Sequence, residues 1–244
     1  EELVAHQVSL LSRRAYIQQI EAPRISASRQ FAKQLLSSLP FDMTNAQKRV
    51  SKEIVQDLKL NKPMLRLVQG DVGAGKTLVA GVAACHALED GWQVALMAPT
   101  EILAEQHYLN FKKWFEPLGL SVSWLSGKQK GKARAAAEQA IVDGTAHLVV
   151  GTHALFQDNV RFAKLGLVII DEQHRFGVDQ RLALRNKGAQ NMTPHQLVMT
   201  ATPIPRTLAM SAYGDLDTSV IDELPPGRTP IQTVTIPLDR REEV

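Results

Sequence analysis

The sequence predicts an α/β fold in which helices cover both faces of a mostly parallel sheet. Several short apolar runs, including residues 64–69 and 166–171, lack the alternation with polar residues that marks a strand with one wet face. Such strands are buried on both faces, as in parallel sheets. Amphipathic segments separate the runs, and parallel strands need crossover connections of this kind. The length of 244 residues suits one large α/β domain or a domain with an appendage.

The region before residue 40 is predicted to be helical and to precede the sheet. Residues 1–20 carry apolar side chains roughly on one side, Ala22-Pro23 interrupts the pattern, and a second helix runs from Ser28 to Leu39 and ends at Pro40. Proline lacks a backbone donor and restricts the residue before it, so helices commonly end there. We interpret residues 1–40 as a helical linker that packs on the main domain without joining its sheet.

From Thr44 onward, strand and helix patterns alternate. Predicted helices 44–60 and 76–89 flank the apolar strand 64–69, and Gly91 ends the second helix because glycine readily takes a left-handed backbone. The remaining predicted helices are 101–116, 130–142, 178–187 and 205–213. The remaining predicted strands are 93–98, 121–125, 147–150, 166–171 and 196–200, followed by two short strands near the end of the chain.

Composition excludes several classes of protein. Hydrophobic residues make up 44% and charged residues 22%, as in ordinary globular proteins. No apolar run approaches the roughly 20 residues of a membrane span, and the acidic start does not resemble a secretion signal. The one cysteine, Cys85, fits a reducing compartment, so we expect a cytoplasmic protein without a disulfide or zinc site. The net charge of +3 is compatible with nucleic-acid binding but also with many other functions.

A glycine-rich loop of the kind that binds phosphate follows the first apolar strand. Residues 70–77 read Gly-Asp-Val-Gly-Ala-Gly-Lys-Thr and lead into a helical segment. Glycines let backbone N–H groups turn toward a phosphate, and the helix N-terminus adds a favourable dipole. Lys76 is expected to reach the β- and γ-phosphates of a nucleoside triphosphate, and the Thr77 hydroxyl to bind Mg²⁺. The alternative is a glycine-rich turn with an incidental Lys-Thr pair. The candidate nucleotide-binding residues of the loop are Gly70, Asp71, Val72, Gly73, Ala74, Gly75, Lys76 and Thr77.

Two carboxylates, Asp171 and Glu172, stand at the end of the strand predicted over residues 166–171. Ligands of open parallel sheets bind at the carboxyl ends of the strands. Asp171 is predicted to hold Mg²⁺ directly or through water, and Glu172 to orient the attacking water. The alternative is a polar strand terminus that caps the following helix.

Six motifs, taken in order, resemble those of superfamily 2 nucleic-acid helicases and translocases. The sequence Asp-Glu-Gln-His at 171–174 is similar to the DExH form of the second motif, and the loop at 70–77 to the first. Residues 98–103, 150–155 and 200–203 resemble motifs Ia, Ib and III, and residues 41–47 resemble the upstream glutamine motif. Longer stretches around these motifs resemble the RecG/Mfd branch. The sequence Leu-Pro-Pro-Gly-Arg-Thr-Pro-Ile at 224–231 resembles the RecG family within that branch.

The resemblance implies a RecA-like P-loop motor domain over residues 41–236. Residues 237–244 would begin a connection to a second RecA-like domain, and a wedge domain would precede the linker. ATP and Mg²⁺ are the implied cofactors. The implied activity is ATP-driven translocation on duplex DNA in the bacterial cytoplasm, which remodels Holliday junctions and stalled replication forks and recognises DNA by backbone and shape. A first motor domain alone is expected to hydrolyse ATP poorly, because the second domain supplies an arginine finger.

The resemblance also implies a nucleotide-contacting set beyond the loop. Phe41, Thr44 and Gln47 are expected to contact the nucleotide, and the Gln47 amide offers both the donor and the acceptor that an adenine edge requires. The alternative for Gln47 is a polar residue on a helix. His174 joins Lys76, Asp171 and Glu172 as a catalytic candidate, with a structural histidine as its alternative.

Five further residues are implied to bind DNA or to couple it to the nucleotide. Thr100, Gly151 and Thr152 follow strands, where hydroxyl and N–H groups can hold a DNA phosphate. For the two threonines the alternative is helix N-capping. Thr200 and Thr202 are expected to connect the carboxylates with the DNA side.

Other readings of the chain stay open at this stage. A basic cluster of Lys128, Lys130, Lys132 and Arg134 either contacts DNA or forms a solvated helix face. The Mfd-like translocases are the alternative within the same class. A GTP-dependent switch would need an Asn-Lys-x-Asp segment, and the nearest string, at 186–189, lacks the aspartate. A catalytically silent nucleotide-binding module is the third class, and the intact loop and carboxylates oppose it.

Overall fold

Seven strands form one sheet in the part of the chain that the computed structural model describes, which comprises residues 21–26, 29–157, 159–171, 192–202 and 216–224. The strands are β1 (Leu65–Gly70), β2 (Gln93–Met97), β3 (Val122–Leu125), β4 (Leu148–Gly151), β5 (Leu165–Asp171), β6 (His195–Thr200) and β7 (Asp217–Ile221).

All described strand pairs are parallel, and the spatial order is β3-β4-β2-β5-β6-β1-β7. Strands β2, β4 and β6 are buried along their whole length, whereas the edge strands β3 and β7 also carry exposed or half-buried residues. Burial on both faces therefore explains why the central runs are apolar without alternation. The predicted parallel α/β sheet is confirmed.

Five helices connect or flank these strands in the described residues. They are α1 (Gln30–Ser38), α2 (Asn45–Leu58), α3 (Lys76–Glu89), α4 (Glu101–Phe115) and α5 (Gly131–Val142), and two short 3₁₀ helices cover Glu116–Leu118 and His153–Phe156. The bounds of α2 to α5 lie within two residues of those predicted, and three of these helices have a local start signal. Thr44 and Thr100 accept hydrogen bonds from the first turns of α2 and α4, and the left-handed Gly75 precedes α3.

The sheet has a hydrophobic core on each face. On one face, Val94 and Leu96 of β2 pack with the buried sides of α1 to α4. On the other face, Ala95 and Met97 pack with Ile141 of α5 and with apolar residues that follow β4. Successive residues of a strand thus point to opposite faces of the sheet and pack in different cores, as the two-residue repeat of a strand requires. Helices cover both faces, as predicted.

The segment 21–26 lies across the amino ends of β1 and β6. The amide of Ala22 donates to the carbonyl of Asn61 (3.0 Å), and that of Ile25 donates to the carbonyl of Leu58 (2.9 Å). Ile25 is buried, and the imidazole Nε2 of His195 lies 2.6 Å from the carbonyl oxygen of Pro23. Residues 21–26 therefore pack on the sheet through both backbone and side-chain contacts, and α1 lies in the adjoining hydrophobic core.

Several predicted elements lie outside the described residues. These are the helices at 1–20, 178–187 and 205–213, the last predicted strand, and residues 237–244. In the described part of the chain, none of the helices has the length and apolar character needed to span a membrane.

Candidate nucleotide-binding site

The phosphate loop and Asp171 lie at the same edge of the sheet. Strand β6 separates β1 from β5, and the pairing aligns Val68 with Met199 and Met199 with Asp171. Adjacent strands are about 4.8 Å apart, so the ends of β1 and β5 are about 10 Å apart. A magnesium–triphosphate group can reach both strand ends from this position.

Two loop glycines have backbones that other residues adopt only with strain. Gly73 has φ of 79° and Gly75 has φ of 86°. A Cβ atom at Gly75 would also lie 2.3 Å from Nε2 of Gln47, so a side chain at this position would require the Gln47 amide to move. The amide of Ala74 donates to the carbonyl of Asp71 (3.1 Å) and closes the turn. These constraints shape the loop that leads into α3.

The Lys76 side chain folds back over the loop that precedes it. Its Nζ donates to the carbonyl oxygens of Gly70 (2.6 Å) and Asp71 (2.9 Å). Lys76 and Thr77 occupy the first turn of α3, where backbone N–H groups and the helix dipole favour an anion. The loop therefore combines an ammonium group with a helix N-terminus, which is the arrangement that binds phosphate.

Gln47 connects the start of α2 with the phosphate loop. Its Nε2 donates to the carbonyl of Ala74 (2.8 Å), and its Oε1 accepts from the amide of Thr44 (2.9 Å). Thr44 Oγ1 in turn accepts from the Gln47 amide (3.2 Å), which completes a capping box. Gln47 is only 2% exposed, whereas Phe41 nearby is 50% exposed. The Gln47 side chain thus holds the loop and the helix cap, and adenine recognition by this residue stays a prediction.

Asp171 contacts a residue that the sequence reasoning missed. Its Oδ2 lies 2.6 Å from Nε2 of His107 on α4, and both side chains are largely buried. The buried positions of α4 are Ala104, His107, Phe111 and Phe115. The sequence does hold a signal for this contact, because His107 lies in the apolar stripe of the helix that follows motif Ia. A buried polar group normally has a hydrogen-bond partner, so a histidine at such a position indicates one.

The residues expected to bind DNA or to couple it to the nucleotide have structural roles as well. Thr100 Oγ1 accepts from the Leu103 amide (3.3 Å) and caps α4, and Thr152 is buried at the end of β4. A Cβ atom at Gly151 would lie 2.1 Å from the carbonyl oxygen of Leu125, so packing between β3 and β4 requires glycine there. Thr200 and Thr202 share a hydrogen bond between their hydroxyl groups (3.0 Å) at the end of β6. DNA contact by these residues stays a prediction.

Two of the four residues of the basic cluster, Lys128 and Arg134, form ion pairs with carboxylates. Lys128 Nζ lies 2.6 Å from Glu101 Oε2, and this lysine lowers the pKa of the Glu101 carboxyl mainly through their hydrogen bond. Arg134 Nε lies 2.8 Å from Glu138 Oε1, and its guanidinium also contacts Gln157. Arg134 thus joins α5 to the segment after β4. Lys130 and Lys132 are exposed.

The remaining catalytic candidates, Glu172 and His174, lie outside the described residues. Residues 186–189, the string nearest to the Asn-Lys-x-Asp segment of GTP switches, also lie outside them. So do residues 225–231, which belong to the stretch that resembles the RecG family.

Comparison with known proteins identifies the family. A sequence profile of DEAD/DEAH box helicases matches residues 44–211. The chain belongs to the DEAD/DEAH box helicase family. Within this family it is 62% identical over its whole length to the ATP-dependent DNA helicase RecG of Escherichia coli strain K12, and 60% identical to RecG of Haemophilus influenzae. It covers 35% of each of these relatives, so the chain spans about a third of their length.

A solved structure agrees with this relation. The structure of RecG bound to a three-way DNA junction matches the whole chain with a TM-score of 0.88 and 43% sequence identity, and the chain covers 32% of it. The UvsW helicase of bacteriophage T4, at 17% identity and a TM-score of 0.57, shares the fold. The resemblance to the RecG family and the RecA-like fold are both confirmed.

The candidate nucleotide site has the donor chemistry that Mg²⁺ prefers. Asp171 offers carboxylate oxygens at the end of β5, and Thr77, after the loop that follows β1, offers a hydroxyl oxygen at the same edge of the sheet. Within the described residues, no group of three or more metal-ligating side chains could hold a metal by itself. Mg²⁺ commonly binds through one or two carboxylates together with substrate phosphates. The residues present therefore fit a Mg²⁺ ion that arrives with a nucleotide.

Proposed function

We propose that this chain is the first motor domain of an ATP-dependent DNA translocase that remodels branched DNA. The observation that carries the proposal is the phosphate loop aligned with Asp171 at one sheet edge, in a chain 62% identical to RecG. The proposed substrates are Holliday junctions and stalled replication forks, in DNA repair and recombination. The proposed location is the bacterial cytoplasm.

In this function the loop binds the phosphates of ATP, and the carboxylates act on the metal ion and the attacking water. Lys76 and the N-terminus of α3 bind the phosphates, which requires Lys76 Nζ to exchange the carbonyls of Gly70 and Asp71 for phosphate oxygens. Charged phosphate oxygens are the stronger acceptors, so this exchange is favourable. Thr77 and Asp171 would hold Mg²⁺, which neutralises the charge that develops on the phosphates. Glu172 would orient the attacking water, with His174 beside it.

The proposal includes partners of the same polypeptide. A second RecA-like domain would close on the nucleotide and supply an arginine finger, and a wedge domain would engage the junction. The fraction of the RecG relatives that the chain covers is compatible with this organisation. Because an arginine finger contributes roughly 10³- to 10⁵-fold in rate, this chain by itself is expected to bind ATP but to turn it over slowly.

The nucleotide part of the proposal is tested by binding and turnover of two variants. Lys76→Ala removes a charged donor and is expected to weaken binding of a non-hydrolysable ATP analogue by roughly 10- to 100-fold. Glu172→Gln retains binding and loses roughly 10²- to 10⁴-fold in the ATPase rate of the polypeptide that joins this chain to the second motor domain. Isothermal titration and a steady-state phosphate-release assay measure the two effects.

Lys113→Ala is the matched control for the lysine variant, because Lys113 is exposed on α4 away from the loop. It should bind the analogue as the wild type does. Unchanged ATPase in Glu172→Gln would refute the water-orienting role, and GTP binding as tight as ATP binding would favour a GTP-dependent switch instead.

A further inference from the structure

His107 is placed to control the geometry of Asp171. Helix α4 brings the imidazole to the end of β5, where Nε2 lies 2.6 Å from Asp171 Oδ2. The side chains of His107 and Asp171 are 10% and 14% exposed. A contact this short in a mostly buried setting restricts both groups.

The direction of this hydrogen bond follows from the chemistry of the two groups. An ionised carboxylate can only accept, so the imidazole must donate its Nε2–H to Oδ2. The other ring nitrogen, Nδ1, is buried and has no hydrogen-bond partner among the described residues. Asp171 is thus the polar contact of the ring within this part of the chain.

Aromatic packing fixes the ring that makes the contact. The His107 ring is tilted against Phe111, with centroids 6.5 Å apart, and Phe111 packs edge-on against Phe115 at 5.3 Å. Phe111 and Phe115 are fully buried. Because close-packed rings have little freedom to rotate, the neighbouring Phe111 ring restricts the orientation of the His107 imidazole.

We propose that His107 is a positioning residue that holds the Asp171 carboxylate in the orientation for Mg²⁺. The inference rests on the proposed function, in which Asp171 binds the metal. With Oδ2 accepting from His107, Oδ1 would be the oxygen that holds the metal. Groups that hydrogen-bond a metal ligand in this way typically change metal affinity by about 10- to 100-fold when they are replaced.

The experiment measures the Mg²⁺ dependence of nucleotide binding by this chain. A fluorescent ADP analogue is titrated at a series of Mg²⁺ concentrations and in EDTA, and Mn²⁺ binding with ADP is followed by electron paramagnetic resonance. His107→Leu fills the buried position with an apolar side chain that lacks the donor, and it is expected to raise the half-saturating Mg²⁺ concentration by about 10- to 100-fold. Binding in EDTA should stay unchanged, because the loop itself is intact.

Two further variants separate the hydrogen bond from the shape of the ring. The side-chain amide nitrogen of glutamine extends about as far as Nε2, so His107→Gln is expected to restore Mg²⁺ dependence to within a few-fold of the wild type. The asparagine amide is one carbon shorter and cannot reach Oδ2, so His107→Asn should behave as His107→Leu does. If His107→Leu fails to fold, the Gln and Asn variants decide the question.

Phe115→Leu is the packing control. It perturbs the same core two turns further along α4, where the ring packs on Phe111, and leaves the hydrogen bond to Asp171 in place, so the thermal midpoint should fall without a change in half-saturating Mg²⁺. Equal Mg²⁺ dependence in the wild type and in the Leu and Asn variants would overturn the positioning role and leave the proposed function intact. Absence of Mg²⁺-dependent nucleotide binding in the wild type would overturn the proposed function itself.

Discussion

At the scale of single residues, Gly75 and Gln47 form one contact that sets the phosphate loop. Gly75 combines a left-handed backbone with a Cβ position only 2.3 Å from Gln47 Nε2. The same Nε2 donates to the carbonyl of Ala74. The Gln47 amide can come this close to the loop because Gly75 has no Cβ atom. A substitution at either residue should therefore disturb the loop backbone that faces the nucleotide.

Gly75→Ala is expected to destabilise the chain and to weaken nucleotide binding. The left-handed backbone costs a non-glycine residue about 1–2 kcal/mol, and the clash with Gln47 adds to this. Gly91→Ala is a matched control, because Gly91 has φ of 77° and no atom within 4 Å of its added Cβ. Denaturant unfolding and titration with an ATP analogue measure both effects. Equal losses in the two variants would mean that the contact with Gln47 has no influence on the loop.

At the scale of elements, a buried histidine fastens the segment 21–26 to the sheet. His195, at the start of β6, accepts from the Met64 amide through Nδ1 (3.0 Å) and donates to the Pro23 carbonyl through Nε2. Burial lowers the pKa of His195 from 6.5 to about 4. Both ring nitrogens are used by backbone groups of different segments, so protonation would break the bond to Met64.

This pKa predicts a loss of stability on acidification. Between pH 6.5 and about pH 4 the unfolded chain binds a proton at His195 that the folded chain does not, so the free energy of unfolding falls as the pH drops through this window. Between about pH 7 and about pH 5 the loss amounts to about 2 kcal/mol for this group. Urea unfolding at both pH values, compared with His195→Gln, isolates the histidine. A variant with the same pH dependence as the wild type would contradict the prediction.

At the scale of the whole molecule, the sheet collects the proposed nucleotide and DNA residues on one edge. The phosphate loop, Asp171, Thr100, Thr152 and Thr200 all follow or end strands of a sheet whose described strands are parallel. Parallel strands present their carboxyl ends together, which is where ligands of such sheets bind. The net charge of +3 is small, and Lys128 and Arg134 already pair with carboxylates.

Binding of duplex DNA is therefore expected to depend on a few phosphate contacts and not on sequence. The logarithm of the association constant should fall linearly with the logarithm of salt concentration, with a slope of about −0.9 for each phosphate neutralised. Fluorescence anisotropy with two duplexes of equal length and unrelated sequence measures this. Similar slopes and affinities are expected for both duplexes, and a strong preference for one sequence would argue against recognition by backbone and shape.

Much of the fold followed from local patterns in the sequence. Helix α3 occupies the predicted range 76–89, and α2, α4 and α5 differ from prediction by at most two residues at either end. Caps such as Thr44 and Thr100 act within one helical turn, so their signals are readable from neighbouring residues. Residues predicted from spacing, such as Lys76 and Asp171, also fell at the same sheet edge.

The partners of the site residues could not be predicted in this way. The sequence predicts for Gln47 either adenine recognition or a polar position on a helix, and neither indicates that its amide contacts a loop carbonyl 27 positions away. No local motif marks His107, which contacts Asp171 across 64 positions. Gly151 was read as a DNA-contacting residue, and the close approach of β3 supplies a packing reason for glycine there.

The sequence by itself determined the strands and helices, the phosphate loop and the carboxylates that point to a nucleotide, because each depends on residues close together in the chain. Only the tertiary structure decided that His107 contacts Asp171, that the Gln47 amide contacts the loop, and that His195 contacts Pro23 across 172 positions. These pairings depend on which strands become neighbours and which helix faces turn inward. Burial then requires each polar group brought inside to find a partner, wherever in the chain that partner lies.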